Sequence, residues 1–142
     1  LQDNAAALEW HTKAAEQGNA KSQYNLGVAY AKGEGVEQNN FEAVRWYHMA
    51  AEQGDAMAQY NLGRCYASGE GCLQDVIEAV RWYMMSAEQG FAKAQYNLAE
   101  CYYRGEGIDK DLKKAVYWCE KAANQGNARA VKRLMQYQSG KG

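Results

Sequence analysis

Cys65, Cys72, Cys101 and Cys119 are the residues with the most chemistry to offer: metal ligation, disulfide formation or nucleophilic attack. A structural metal site needs such ligands at short fixed spacing, and the chain has no CxxC pair. The two histidines, His11 and His48, fall at different positions of the repeat described below and do not complete a ligand set. None of Ser22, Ser68, Ser86 and Ser139 is followed three residues on by lysine, so there is no SxxK nucleophile. HExxH, a phosphate-cradling P-loop and a recognisable carboxylate pair are also missing. The expectation is a chain that is not an enzyme and holds no cofactor and no metal.

What positions these residues is a repeat. Trp10, Trp46, Trp82 and Trp118 stand 36 residues apart, and Gly18, Gly54, Gly90 and Gly126 keep the same step. AVRWYHMAAEQG (43–54) returns as AVRWYMMSAEQG (79–90). Lockstep of this kind marks a repeat array. Asp3, Asn39, Asp75 and Asp111 share a column and can cap a helix through a side-chain oxygen. Asn39 with Glu42, and Asp75 with Glu78, have capping-box spacing. Behind the caps, Ala43, Trp46, Tyr47 and Ala50 follow the i, i+3, i+4, i+7 period of an amphipathic helix. Gly18 and its copies end that helix, and Asn19, Asp55 and Asn127 can cap the next; Phe91 breaks the column.

The next helix carries Tyr24, Leu26, Gly27 and Tyr30 and their copies, and ends at Gly-Glu-Gly (33–35, 69–71, 105–107). Glycine in mid-helix costs roughly 1 kcal/mol against alanine, so Gly27 and Gly63 suggest the close approach of another helix. Val36, Cys72 and Ile108 should tuck the loop onto the core. Two helices per 36 residues make an antiparallel hairpin, and stacked hairpins an α-solenoid. Cys65 and Cys101 align with Ala29, Cys72 with Val36 and Ile108, and Cys119 with Tyr47 and Tyr83. They are expected to be buried free thiols. Trp46, Tyr47 and Tyr66 are expected in the core.

Gln23-Tyr24-Asn25-Leu26-Gly27-x-Ala29-Tyr30 followed by Ala43-x-x-x-Tyr47-x-x-Ala50 resembles the tetratricopeptide pattern. The Gly-x-Gly-Val loop (33–36), the 36-residue period and Ala-Ala-Glu-Gln-Gly (14–18) narrow the resemblance to the Sel-one-like repeat, over nearly the whole chain. It implies an all-α, α/α superhelical solenoid in which LGxxY helices come first. The chain is then one repeat domain over 1–142: a lone second helix (4–17), repeats at 19–54, 55–90 and 91–126, and a capping helix from 127 to 142. Lys132, Arg133, Gln136 and Gln138 should give that last helix a polar outer side, with Gly140-Lys141-Gly142 frayed. One branch of the family has a disulfide between residues eight apart at the helix junction. Here those positions hold Ala15 and Gln23, Ala51 and Gln59, Ala87 and Gln95, so the staple is absent and an oxidising compartment is not required.

By the same resemblance the first helices line a concave groove that binds a protein or peptide. A packing column must keep its volume, whereas a ligand-facing column need not. The variable columns are Lys21/Met57/Lys93/Arg129, Val28/Arg64/Glu100/Gln136 and Ala31/Ala67/Tyr103, beside Tyr24, Tyr60, Tyr96 and the uniform Asn25, Asn61, Asn97. The expected partner-binding residues are Lys21, Tyr24, Asn25, Val28, Met57, Tyr60, Asn61, Arg64, Lys93, Tyr96, Asn97, Glu100 and Tyr103. Helices pack roughly 8–10 Å apart, close to three residues of extended peptide at about 3.3 Å each, so an asparagine ladder could hold a peptide backbone. Alternatively each asparagine bonds to the neighbouring repeat and fixes the stacking.

A hydrophobic share of 47% suits a folded domain, and a net charge of -1 gives no electrostatic reason to expect nucleic acid. No apolar run reaches the roughly 20 residues of a membrane span, so no membrane insertion is expected. The chain is expected to be a monomer. It opens at Leu1 with the pattern already under way, as an excised fragment would, and the compartment is not readable. The reading is a non-catalytic interaction scaffold; the alternative is a cell-envelope accessory module that binds or hydrolyses cell-wall or β-lactam-like ligands.

Overall fold

The computed structural model describes the backbone of residues 2–139 and the side chains of residues 6–139. It contains α1 (Gln2–Glu16), α2 (Ala20–Lys32), α3 (Asn40–Glu52), α4 (Ala56–Ser68), α5 (Val76–Glu88), α6 (Ala92–Arg104), α7 (Leu112–Asn124) and α8 (Ala128–Gln138). No strand occurs among the described residues. The helices form two compact units, residues 1–75 and 76–142. In the first, α1 packs on α2, α2 on α3 and α3 on α4; in the second, α5 packs on α6, α6 on α7 and α7 on α8. Within each unit the chain is a stack of helix hairpins, as the 36-residue period requires.

The caps explain where the helices start. Asn19, Asp55 and Asn127 accept from the backbone N–H groups of Ser22, Ala58 and Ala130, and Asn39 and Asp111 from those of Glu42 and Lys114. Phe91 occupies the same flank before α6 and has no oxygen to offer. Asp3 lies inside the span of α1, not before it; its side chain, and the segment Gly140-Lys141-Gly142, lie outside the described residues. Glycine is required in the Gly-Glu-Gly turn. Gly71 has φ +79, and a Cβ there would overlap the Asn40 carbonyl oxygen; Gly107 meets Val76 in the same way.

Leu26, Leu62 and Leu98 are fully buried, with Ala43, Trp46, Tyr47 and Ala50 from the second helices. Tyr66 is only half-buried, contrary to its expected core role. At Gly27 the close neighbour is a side chain as well as a helix: an added Cβ would lie 2.6 Å from Tyr47 Cδ1 and 3.3 Å from the Ala43 carbonyl oxygen. The second unit solves the same contact with other volumes. There Ala99 and Cys119 replace glycine and tyrosine, and both are fully buried in one cluster with Ala122 and Ala130.

The junctions that lack a disulfide carry another staple. Gln23, Gln59 and Gln95 are buried, and each side-chain amide donates to the carbonyl of the alanine eight residues back: Ala15, Ala51 and Ala87, at 3.1 Å in all three. The other end of the amide is used too. Gln23 Oε1 accepts from Gln53 Nε2 at 2.8 Å, and Gln95 Oε1 from Gln125 Nε2 at 2.9 Å. Gln125 also donates to the Gly90 carbonyl at 2.8 Å. Each chain of amides thus ties the end of one second helix to the next first helix and then to the second helix after it. Buried polar groups must be bonded, and at Gln23 and Gln95 both ends of the amide are.

Candidate partner-binding face

The expected partner-binding residues lie on α2, α4 and α6, and none of the thirteen is fully buried. In the first unit, Lys21, Met57 and Arg64 are exposed, while Tyr24, Asn25, Val28, Tyr60 and Asn61 are half-buried. Lys21 bridges the two helices: its Nζ lies 3.2 Å from Asp55 Oδ2, 3.8 Å from Met57 Sδ and 5.0 Å from the centre of the Tyr24 ring. Arg64 lies over the Tyr60 ring at 5.7 Å. The face therefore offers aromatic rings beside cations and a polarisable thioether, with amides below them. Such a surface suits peptide contacts.

Asn61 on α4 acts on the Tyr47 phenol of α3 and favours its ionised form. Burial raises the Tyr47 phenol well above its ordinary pKa, with Cys65 and Tyr24 adding and Asn61 and Arg64 opposing. Asn25 lines an open cavity beside His11.

The second unit has the same residue columns in a different state. Lys93 is exposed, Tyr96, Asn97, Glu100 and Tyr103 are half-buried, and α8 engages three of these. Arg133 Nε donates to Glu100 Oε2 at 3.1 Å, the Tyr137 hydroxyl donates to the same oxygen, and Tyr96 OH is 3.5 Å from Glu100 Oε1. The rings of Tyr103 and Tyr137 stack at 4.7 Å, with the Arg133 guanidinium 4.8 Å from the Tyr103 ring centre. Arg129 lies over Tyr96 at 4.9 Å. Arg133 is accordingly not on a polar outer side: its side chain is 16% exposed and faces Glu100. Burial, then the Glu100 carboxylate, raises the Tyr137 phenol far above its ordinary value. A signal for this was present, because Arg133 stands in the asparagine column and Tyr137 in the Ala29/Cys65/Cys101 column.

The cysteines are free, but only Cys119 is fully buried; Cys65, Cys72 and Cys101 are half-buried, a correction to the expected burial. Burial pushes the Cys65 and Cys101 thiols up to about 11, with Cys72 and Glu70 adding at Cys65 and Glu106 and Glu100 at Cys101. At neutral pH they are protonated and poor nucleophiles. Among the described residues no three His, Cys, Asp or Glu side chains group as metal ligands, and no helix is long and apolar enough to cross a membrane.

The sequence profile of the Sel1 repeat matches residues 1–19, 20–55, 56–91 and 92–127. The chain belongs to the Sel1-repeat family. Among solved structures it is similar to c5321, a protective antigen of uropathogenic Escherichia coli strains with an SLR fold: 36% identity, 96% of this chain, TM-score 0.91. A Sel1 repeat protein from Oxalobacter formigenes is 41% identical over 92% of this chain, with a TM-score of 0.85. The chain spans 29% of the first protein and 53% of the second. Helicobacter pylori cysteine rich protein B, 24% identical, covers 93% of this chain and 95% of its own with a TM-score of 0.73, and shares the fold. A search of curated proteins gave no match. The Sel1-repeat fold is an all-α solenoid of helix hairpins, and its members generally serve as non-catalytic protein-interaction scaffolds.

Proposed function

We propose that this Sel1-repeat chain binds an extended segment of a partner protein across the α2–α4 face of the first unit. The observation that carries this reading is the contrast between the two units. On α6, Tyr96, Glu100 and Tyr103 are engaged by Arg129, Arg133 and Tyr137, whereas on α2 and α4 Met57 and Arg64 stand exposed beside half-exposed tyrosines. Tyr24 and Tyr60 supply stacking area, Lys21 and Arg64 attract acidic side chains, and Met57 adapts to apolar ones. The α6 face, with Glu100 neutralised by Arg133, has a structural role.

A peptide-display selection against the intact chain tests this. Selected peptides should lose at least tenfold in affinity to Tyr60→Ala with Met57→Glu, and keep their affinity for Arg45→Ala, a change on the exposed side of α3. Peptides indifferent to the α4 pair would sink the proposal.

A further inference from the structure

Among the described residues the two most exposed large apolar side chains are Leu73, at 90%, and Phe41, at 75%. The exposure of Phe41 does not come from a missing helix, because α3 has both α2 and α4 packed on it. Nor does the repeat ask for either residue. The column of Phe41 also holds Ile77 and Lys113, and that of Leu73 holds Glu37 and Asp109. A packing column keeps its volume and polarity, and these two keep neither.

Both residues belong to one edge of the first unit. Gly71 sits against the first turn of α3, where an added Cβ would overlap the Asn40 carbonyl and Val44 Cγ2. Phe41 is the neighbour of Asn40, and Leu73 follows Gly71 by two residues. The backbone of this edge is held in place. Asp75 N–H donates to the Tyr66 carbonyl at 2.8 Å, and Gln74 Nε2 to the Ala67 carbonyl at 2.8 Å, so the loop is tied back to α4 just beyond Leu73. Phe41 lies in the turn that Asn39 caps through the Glu42 N–H at 3.1 Å. Two apolar side chains on a fixed backbone lose little freedom when something covers them.

The charge beside them indicates what that is. Glu37 precedes Phe41 by four residues, Glu70 adjoins Gly71, and both are exposed. Neither forms an ion pair among the described residues. In the second unit Gly107 meets Val76 as Gly71 meets Asn40, and Leu112 is 53% exposed. There Lys110 stands in the position of Gln74 and Lys113 in that of Phe41, and they offset Glu106 and Asp109. The acidic form of the apolar edge is thus confined to the first unit. Exposed apolar side chains beside unpaired carboxylates complement apolar groups flanked by cations and repel an acidic segment.

We infer that the edge formed by the start of α3 and the loop after α4 docks a basic, apolar segment of a partner protein. Phe41 and Leu73 pack on its apolar side chains, and Glu37 and Glu70 face its lysines or arginines. None of these four residues belongs to the α2–α4 face, so this is a second interaction surface, independent of the first.

The test titrates the intact chain with the peptide acetyl-Lys-Lys-Leu-Phe-Leu-Lys-Lys-amide, followed by NMR. Two controls replace its lysines with glutamate or its apolar residues with serine. Saturable shifts of the Phe41 ring and the Leu73 methyls are expected with the first peptide and not with the controls. Phe41→Ser with Leu73→Ser changes only exposed side chains and should weaken binding at least tenfold. Glu70→Gln should weaken it by about two- to fivefold, the range of an exposed ion pair. Tyr60→Ala with Met57→Glu should leave the affinity unchanged, which separates this inference from the α2–α4 reading. Equal binding of the glutamate peptide, shifts confined to other residues, or unchanged affinity in the folded Phe41→Ser, Leu73→Ser variant overturns it. So does Phe41-dependent self-association in sedimentation velocity, or Phe41-dependent binding to phosphatidylcholine vesicles, which would assign the edge to a second copy or to lipid.

Discussion

At Gln23, Gln59 and Gln95 a single amide does work that composition hides. Glutamine reads as a surface residue, yet these three are buried because each donates to a carbonyl at a helix junction. Replacing Gln95 with leucine keeps the volume and leaves the Ala87 carbonyl and the Gln125 amide without it. A loss of about 1–3 kcal/mol is expected in urea unfolding, and a loss under 0.5 kcal/mol would count against the staple. Cys65 gives a pH prediction. Its folded pKa, about 11, stands above the ordinary thiol value near 9, so the unfolded chain loses its proton first. The contribution is intact below pH 9 and is lost as pH rises from about 9 to about 11. The urea midpoint should fall over that window, and fall less in Cys65→Ala. The caps at Asn19, Asp55 and Asn127 were legible because capping depends on one residue and its immediate neighbours. The glutamine staples were not, because their partner is a backbone carbonyl that only the folded junction brings near. A uniform polar column at helical spacing was the available sign.

At the level of elements, how α2 seats against α3 is decided by one pair of positions. Gly27 admits the Tyr47 ring, and Ala99 with Cys119 fills the same contact between α6 and α7. Gly27→Ala gains roughly 1 kcal/mol of helix propensity, but puts a Cβ 2.6 Å from the ring, and overpacking typically costs 1–3 kcal/mol. Tyr47→Cys alone should cost about 3–5 kcal/mol, the range for emptying an aromatic site. Together the two rebuild the Ala99–Cys119 pair, so the double variant should be at least about 1 kcal/mol more stable than the sum of the singles. Strict additivity in a double-mutant cycle would show that the two positions do not exchange volume. The helices themselves were readable from the 36-residue columns. Their pairing across positions was also in the sequence, since glycine changes to alanine where tyrosine changes to cysteine. It becomes visible only once the fold says which columns touch.

For the whole chain, repeats draw their stability from each hairpin and its neighbours, so the last helix matters beyond its size. Arg133 and Glu100 are paired with side chains 16% and 17% exposed. Arg133→Ala should cost about 1.5–3 kcal/mol and speed amide exchange in α6 and α8 more than in α2. Equal protection in all three helices would place the loss elsewhere. That Arg64 is exposed and Glu100 half-buried was not legible from the columns, because the two share one. Only the direction of the Arg133 side chain separates them. The glutamine junctions, finally, have a mechanical meaning. Each closes a span of eight residues by a hydrogen bond, not by a covalent link. Under tension such a span releases its full contour, about 3.4 Å per residue, where a cross-link would hold it back. When the load is removed the bond re-forms without an oxidant, so the tether resets after every stretch in any redox environment.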